Sequence, residues 1–246
     1  MAFGGCYLRD ELNIESMPLK SVRIEGVQRD LLANFEITQI FSHSKPTNQQ
    51  VSYIFPNDQK LCIYDVTFVV GKEIIKPSIK SKEEAKKIYD EAVSQGKTAV
   101  YGSNVKDSMS EFKLGNLPPD IECKVILKVA LFGRITSQNS YFIKFPIDIY
   151  TPSNSRKCLD VKASEFNFEL KCYIEKVEKV TSNVKNYNFD EKEKLFSIKE
   201  KIENRLDENS IIITFLTKDR LHNSALVDTK TQPNYDNCLI TFSPII

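Results

Sequence analysis

Apolar and polar residues alternate along most of this chain. In 33–39, Ala33, Phe35 and Ile37 share one face while Asn34, Glu36 and Thr38 share the other, which is the period of a strand buried on one side. Segments 51–55, 62–70, 121–132, 141–145, 166–174 and 211–216 are also rich in β-branched and aromatic residues, and short polar or Pro-containing stretches separate them. The predicted class is mainly β. Gly71-Lys72 stands between two such runs and predicts a tight antiparallel hairpin, because glycine adopts the positive φ that such turns need.

One segment follows a different period. Ser81 and Glu84 have the spacing of a capping box, and Ala85, Ile88, Tyr89, Ala92 and Val93 then recur at helical intervals. Glu83, Lys87 and Glu91 fall four apart on the outside, and Gly96 stands where a helix ends. This predicts a single helix over about 81–95. So short a helix is marginal alone and must dock its apolar stripe on a sheet, so Ile88→Asp is expected to loosen the contact. Segment 190–206 fits a helix through Leu195, Ile198, Ile202 and Leu206 and fits a charged edge strand through Phe196 and Ile198. Segment 181–194, rich in Asn, Lys and Glu, reads as a loop or linker.

Composition narrows the function classes. Lys plus Arg number 34 against 33 Asp plus Glu, so no net field draws the chain to nucleic acid or to an acidic membrane. No apolar run approaches the roughly 20 residues of a membrane span. Residues 1–6 lack a basic and apolar secretory leader, which makes the cytoplasm the expected location. The six cysteines Cys6, Cys62, Cys123, Cys158, Cys172 and Cys238 are spread singly through apolar runs and read as reduced, buried thiols.

Candidate chemistry is sparse. His43 and His222 stand far apart without metal-ligand or triad spacing, and the eight glycines form no phosphate loop. Cys6, His43 and His222 are the only conceivable nucleophile or base. Glu83, Glu84, Asp90 and Glu91 read as a solvated helix face among lysines. Asp107-Ser108-Met109-Ser110 misses metal-site spacing and reads as a loop. Lys124, Lys128, Arg134, Phe132 and Tyr141 read as an ordinary amphipathic strand pair. No catalytic, cofactor-binding or metal-ligating residue is expected.

Five pieces in order carry a family likeness: Pro18-Leu19-Lys20-Ser21, Tyr53-Ile54-Phe55-Pro56, Val70-Gly71-Lys72-Glu73-Ile74, the helix end from Tyr89 to Gly96, and Leu114-Gly115-Asn116-Leu117-Pro118-Pro119. Together they resemble the vault protein inter-alpha-trypsin (VIT) domain of inter-α-trypsin inhibitor heavy chains, of the vault-associated poly(ADP-ribose) polymerase and of intracellular von Willebrand factor A-containing proteins, the last branch being the most similar. The resemblance implies a β-sandwich-like VIT domain over 1–152 with one docked helix. A β-rich extension over 153–246 would then lead into a von Willebrand A domain. No A domain or metal site is carried over, and the Ile245-Ile246 end reads as that of a fragment.

The residues of this likeness, Phe55, Pro56, Gly71, Ile88, Tyr89, Gly96, Gly115, Asn116 and Pro118, are expected to build shape. Pro56 would end a strand, Gly96 would end the helix, and Gly115-Asn116 would make a turn. The expected function is a non-catalytic protein-interaction or scaffold module without cofactors. Its partners would be proteins, an adjacent A domain among them. The alternative that the family implies is a secreted heavy-chain-like matrix component. The strand over 239–242 is expected to pair within the chain or with a second molecule.

Overall fold

The computed structural model describes residues 2–3, 5–9, 14–56, 61–78, 80–106, 109–146, 148–149, 157–158, 165–173, 177–201, 210–218, 224–228 and 237–241. Among them the chain is mainly β with one α-helix. The largest sheet has eight strands, ordered Asn188–Asp190, Leu195–Lys201, Glu165–Tyr173, Leu19–Arg29, Leu32–Phe41, Cys123–Phe132, Leu61–Val70 and Glu73–Ile75. All neighbours in it run antiparallel except Glu165–Tyr173 against Leu19–Arg29, which run parallel from Glu165 opposite Ser21 to Tyr173 opposite Arg29. Strands on both sides of residue 152 therefore share one sheet.

One face of this sheet is apolar because its strands keep strict alternation: Phe35, Ile37 and Phe41 are buried on one strand and Phe166, Phe168 and Leu170 on another. Two smaller sheets cover that face. The five-stranded sheet, ordered Ile14–Ser16, Gly5–Arg9, Gln49–Pro56, Met109–Leu117 and Ala99–Lys106, puts Tyr53 6.3 Å from Phe41 and 6.1 Å from Phe68. The four-stranded sheet, ordered Arg134–Ser137, Ser140–Pro146, Ser210–Thr217 and Val177–Ser182, puts Phe145 4.6 Å from Phe35 and 5.4 Å from Phe168. Each aromatic side chain withdrawn from water in this core contributes on the order of 1.5–3 kcal/mol. The result is the expected sandwich-like arrangement.

The Gly71 hairpin forms as expected, with Gly71 at φ +59 and Val70 opposite Glu73. The helix spans Lys82–Ser94, and the Ser81 side chain accepts from the Glu84 N–H at 3.2 Å. The loop expected over 181–194 holds over 183–187 and 191–194 and is corrected at its strand positions, the end of Val177–Ser182 and Asn188–Asp190, where Asn183 ties the segment to its neighbour. The Asn183 amide donates to the Ser210 carbonyl at 2.9 Å and its oxygen accepts from the Ile212 N–H at 2.7 Å. Segment 190–206 resolves, where described, into the strand Leu195–Lys201, with Phe196 and Ile198 buried; residues 202–209 lie outside the described residues. Leu19–Arg29, Ala99–Lys106 and Met109–Leu117 are strands that the alternation did not flag. Met109 and Ser110 thus belong to a strand, while Asp107 and Ser108 lie outside the described residues. Asn237–Thr241 pairs within the chain, with Ser224–Asp228.

Candidate functional site

Four of the signature residues, Tyr89, Gly96, Gly115 and Asn116, meet where the helix packs on the outer side of the five-stranded sheet, whereas Gly71 lies in the hairpin of the eight-stranded sheet. Met109–Leu117 pairs with Gln49–Pro56 up to Leu114 and slips register before Leu117, so Gly115-Asn116 forms a bulge in a strand instead of the expected turn. The chain turns later, at Asp120, whose φ is +57. A Cβ on Gly115 would stand 2.4 Å from Val93 Cγ2 and 3.1 Å from the Tyr89 hydroxyl. Only a residue without a side chain lets the helix lie this close to the strand.

Asn116 does two jobs beside it. Its φ of +56 is one that asparagine tolerates better than most residues. Its amide donates to the Val93 carbonyl at 2.9 Å and to the Lys97 carbonyl at 3.1 Å. Val93 is in the last turn of the helix, where carbonyls lack the regular intrahelical partner, and Lys97 lies just beyond its end. Gly96, at φ +75, lets Gly96 N–H reach Val93 at 3.0 Å and Lys97 N–H reach Ala92 at 3.0 Å, a helix stop of the Schellman type.

Tyr89 is the buried anchor of the helix, 7% exposed, with its ring 5.9 Å from Tyr101. Its hydroxyl accepts from the Gln50 amide at 3.1 Å. Burial pushes the Tyr89 phenol above its ordinary range, and the Asp90 and Glu111 carboxylates act in the same direction. Ile88 corrects the expectation placed on it: it is 48% exposed, because the helix rolls onto Tyr89 and Val93 and leaves the next position on its flank. Phe55 is buried and stacks 5.7 Å from Phe112, and Pro56 is the last residue of its strand.

His43 is buried with both ring nitrogens engaged by main chain. Nε2 lies 3.1 Å from the Leu117 carbonyl, and Nδ1 accepts from the Lys45 N–H at 3.3 Å. A carbonyl on one side and an N–H on the other select the neutral ring with its proton on Nε2. The Asp120 N–H closes the loop onto the His43 carbonyl at 2.8 Å, so His43 fixes the segment that begins with Pro118. His222 lies outside the described residues. Cys6, Cys123 and Cys172 are free buried thiols, and Cys62 is free and exposed. Burial pushes Cys6 well above the ordinary thiol range, with Cys123 against it, and lifts Cys172 to about 12. Such thiols are poor nucleophiles at neutral pH.

The other candidates do not gather. Lys128 pairs with Asp65 at 3.7 Å on the outer face, Phe132 is exposed, and Tyr141 is buried on the inner face. Lys80, just before the helix, bonds Glu84 at 2.5 Å, and on the helix Lys87 forms an ion pair with Glu91 at 3.9 Å. Among the described residues no group of three His, Cys, Asp or Glu side chains is placed to hold a metal, and no helix is long and apolar enough to cross a membrane. Sequence reasoning missed Gln50 and the strand Ala99–Lys106. Alternation of Val100 and Gly102 against Tyr101 and Ser103 is present there, but glycine and asparagine obscure it.

Residues 19–129 match the family described as the vault protein inter-alpha-trypsin domain. Over these residues the chain is similar to VIT domains. The mono-ADP-ribosyltransferase PARP4 of Mus musculus is 33% identical over 146 residues, 58% of this chain and 7% of that protein. The von Willebrand factor A domain-containing protein 5A of Homo sapiens is 23% identical over 158 residues, 61% of this chain and 20% of that protein. The chain thus matches a small part of much longer relatives. An M1 zinc metallopeptidase from Deinococcus radiodurans covers 94% of this chain and 48% of its own, with a TM-score of 0.41 and 8% identity. The Gly115-Asn116 bulge and the strand ends at Pro56 and Leu117 all lie inside or at the borders of strands of the VIT match.

Proposed function

We propose that this chain is a non-catalytic protein-interaction module of the cytoplasm, part of a longer protein in which the VIT domain stands beside a von Willebrand A domain. The observation that carries the reading is the VIT match over residues 19–129, together with relatives that hold the same segment within long chains. The site chemistry supports it. The described histidine is spent on two main-chain bonds, burial raises the Cys6 and Cys172 thiols, and Tyr89, Gly115 and Asn116 seat a helix. Residues 153–246 act as an extension built onto the same unit, since Glu165–Tyr173 adds directly to Leu19–Arg29.

The test is affinity capture of the folded chain from cell extract beside a Gly115→Val variant, which cannot seat the helix. A defined set of proteins held by the parent chain and lost with the variant supports an interaction module. Capture of nothing, together with turnover of a substrate by the purified chain, overturns it.

A further inference from the structure

Edge strands expose unpaired main-chain N–H and C=O groups, and folds limit that exposure by keeping them short, bulged or charged. The eight-stranded sheet ends in Asn188–Asp190 and Glu73–Ile75, three residues each. The four-stranded sheet ends in Arg134–Ser137, four residues, and in Val177–Ser182, six residues interrupted by a bulge. One border of the five-stranded sheet is the three-residue strand Ile14–Ser16. The other border is different.

That border is Ala99–Lys106, eight residues long, with no proline and with its only charge on the last residue. It pairs on one side with Met109–Leu117, from Gly115 opposite Ala99 to Met109 opposite Lys106. Among the described residues no strand pairs with its second side. Its middle carries a notch. A Cβ on Gly102 would stand 2.7 Å from the Phe112 ring across the pair, so the half-buried ring lies over Gly102 and reaches the sheet border. A strand added there would set one of its own side chains opposite Gly102, against Phe112.

We propose that Ala99–Lys106 is a docking edge that takes an extended segment of a partner protein as an added strand, with an apolar side chain of that segment covering Phe112. The main-chain groups of the edge supply affinity, and the Gly102 notch supplies selection at one position. A second copy paired symmetrically about Gly102 sets glycine against glycine and leaves Phe112 uncovered, and the dimer outcome below tests its other registers. The proposal rests on the reading of the chain as an interaction module and names the place where that module binds.

The probe is a phage-displayed library of random decapeptides selected against the full chain, with amide hydrogen exchange read on the free and peptide-bound protein. Successive strand residues point their N–H groups to opposite sides, so one of Ser103→Pro and Asn104→Pro removes only an outward donor. That variant is the one that keeps native circular dichroism. The expected result is a peptide consensus with an apolar residue at a fixed position, at least tenfold slower exchange at alternate amides over 99–106, and at least tenfold weaker binding to the folded proline variant. Three results overturn the proposal: no selected peptide, a peptide that leaves these amides unprotected, or a concentration-dependent dimer of the chain that the proline substitution abolishes. Protein capture that survives the folded proline variant but fails with Gly115→Val leaves the interaction module standing and removes the edge from it.

Discussion

The two sheets that share one face of the eight-stranded sheet are held to it by different means. The five-stranded sheet relies on residues whose identity matters: Tyr53 donates to Gln39 Oε1 at 2.7 Å, His43 bridges two main-chain groups, Gly115 admits the helix, and Asn116 ends it. The four-stranded sheet has a comparable bond, from the Gln28 amide to the Tyr141 hydroxyl at 2.7 Å, and otherwise relies on aromatic volume. Phe35, Phe145, Phe168 and Phe196 form a chain of ring contacts from 4.6 to 6.1 Å, and Tyr141 stacks 5.2 Å from Phe215. A polar or backbone-specific role accepts few residue types, whereas a volume can be filled by several. The family match over 19–129 includes Phe35 of this cluster but not Phe145, Phe168 or Phe196.

Phe168→Ala is the harshest way to break that comparison. The side chain is fully buried and bridges strands from both sides of residue 152, so the substitution is expected to cost about 3–5 kcal/mol. If the halves are one cooperative unit, chemical denaturation followed by tyrosine fluorescence shifts as a single transition. A transition from the five-stranded half that stays in place while a second one moves would separate them.

Alkali loads both halves next, because burial raises Cys6 and Tyr89 in one and Cys172 and Tyr141 in the other. Cys172 is held up to about 12 against an ordinary 9.0, mainly by burial, and Tyr89 is raised mainly by burial as well. A group whose folded pKa lies above its unfolded value lends stability below the unfolded value and loses it as pH rises toward the folded one. Stability is therefore expected to hold up to about pH 9 and then fall by about 1.4 kcal/mol per pH unit for Cys172 alone, read by denaturant midpoints from pH 8 to 11. Cys172→Ser should flatten the first part of that fall, and Tyr89→Phe the part that begins near 10. An unchanged profile in Cys172→Ser would assign the loss to other groups.

The strand period, the hairpin and the helix were legible in the sequence because each depends on local spacing. The sites that resisted reading depend on contacts made across the fold. Gly115-Asn116 has the local chemistry of a turn, and only the helix packed against it turns it into a seat within a strand. Asn183, in a stretch whose composition suggests a loop, becomes a strand anchor through bonds to Ser210 and Ile212, nearly thirty residues away. Gly115→Val puts this account at risk: the added side chain meets Val93 and Tyr89, and overpacking of this kind costs about 1–3 kcal/mol. The loss should appear as faster amide exchange from Lys82 to Ser94 while Phe35 and Phe168 remain in a native core. Asn116→Gly should cost less than Asn116→Ala, because glycine keeps the positive φ and loses only the two bonds to the Val93 and Lys97 carbonyls.

The smallest effect is expected at Ile88, which periodicity places on the docking stripe beside Tyr89. The two residues are adjacent on the helix, yet Tyr89 is 7% exposed and Ile88 is 48% exposed. The difference arises because the helix needs only a narrow face to fill the notch above Gly115, and Tyr89 and Val93 supply it. Ile88→Asp should therefore change stability by no more than about 0.5 kcal/mol, as surface substitutions do, whereas Tyr89→Ala should cost about 3 kcal/mol through lost burial and the lost bond to Gln50. Parallel thermal melts of the two variants decide the matter. Equal losses would mean that both faces of the helix are packed and that the narrow seat on Gly115 does not define how it docks.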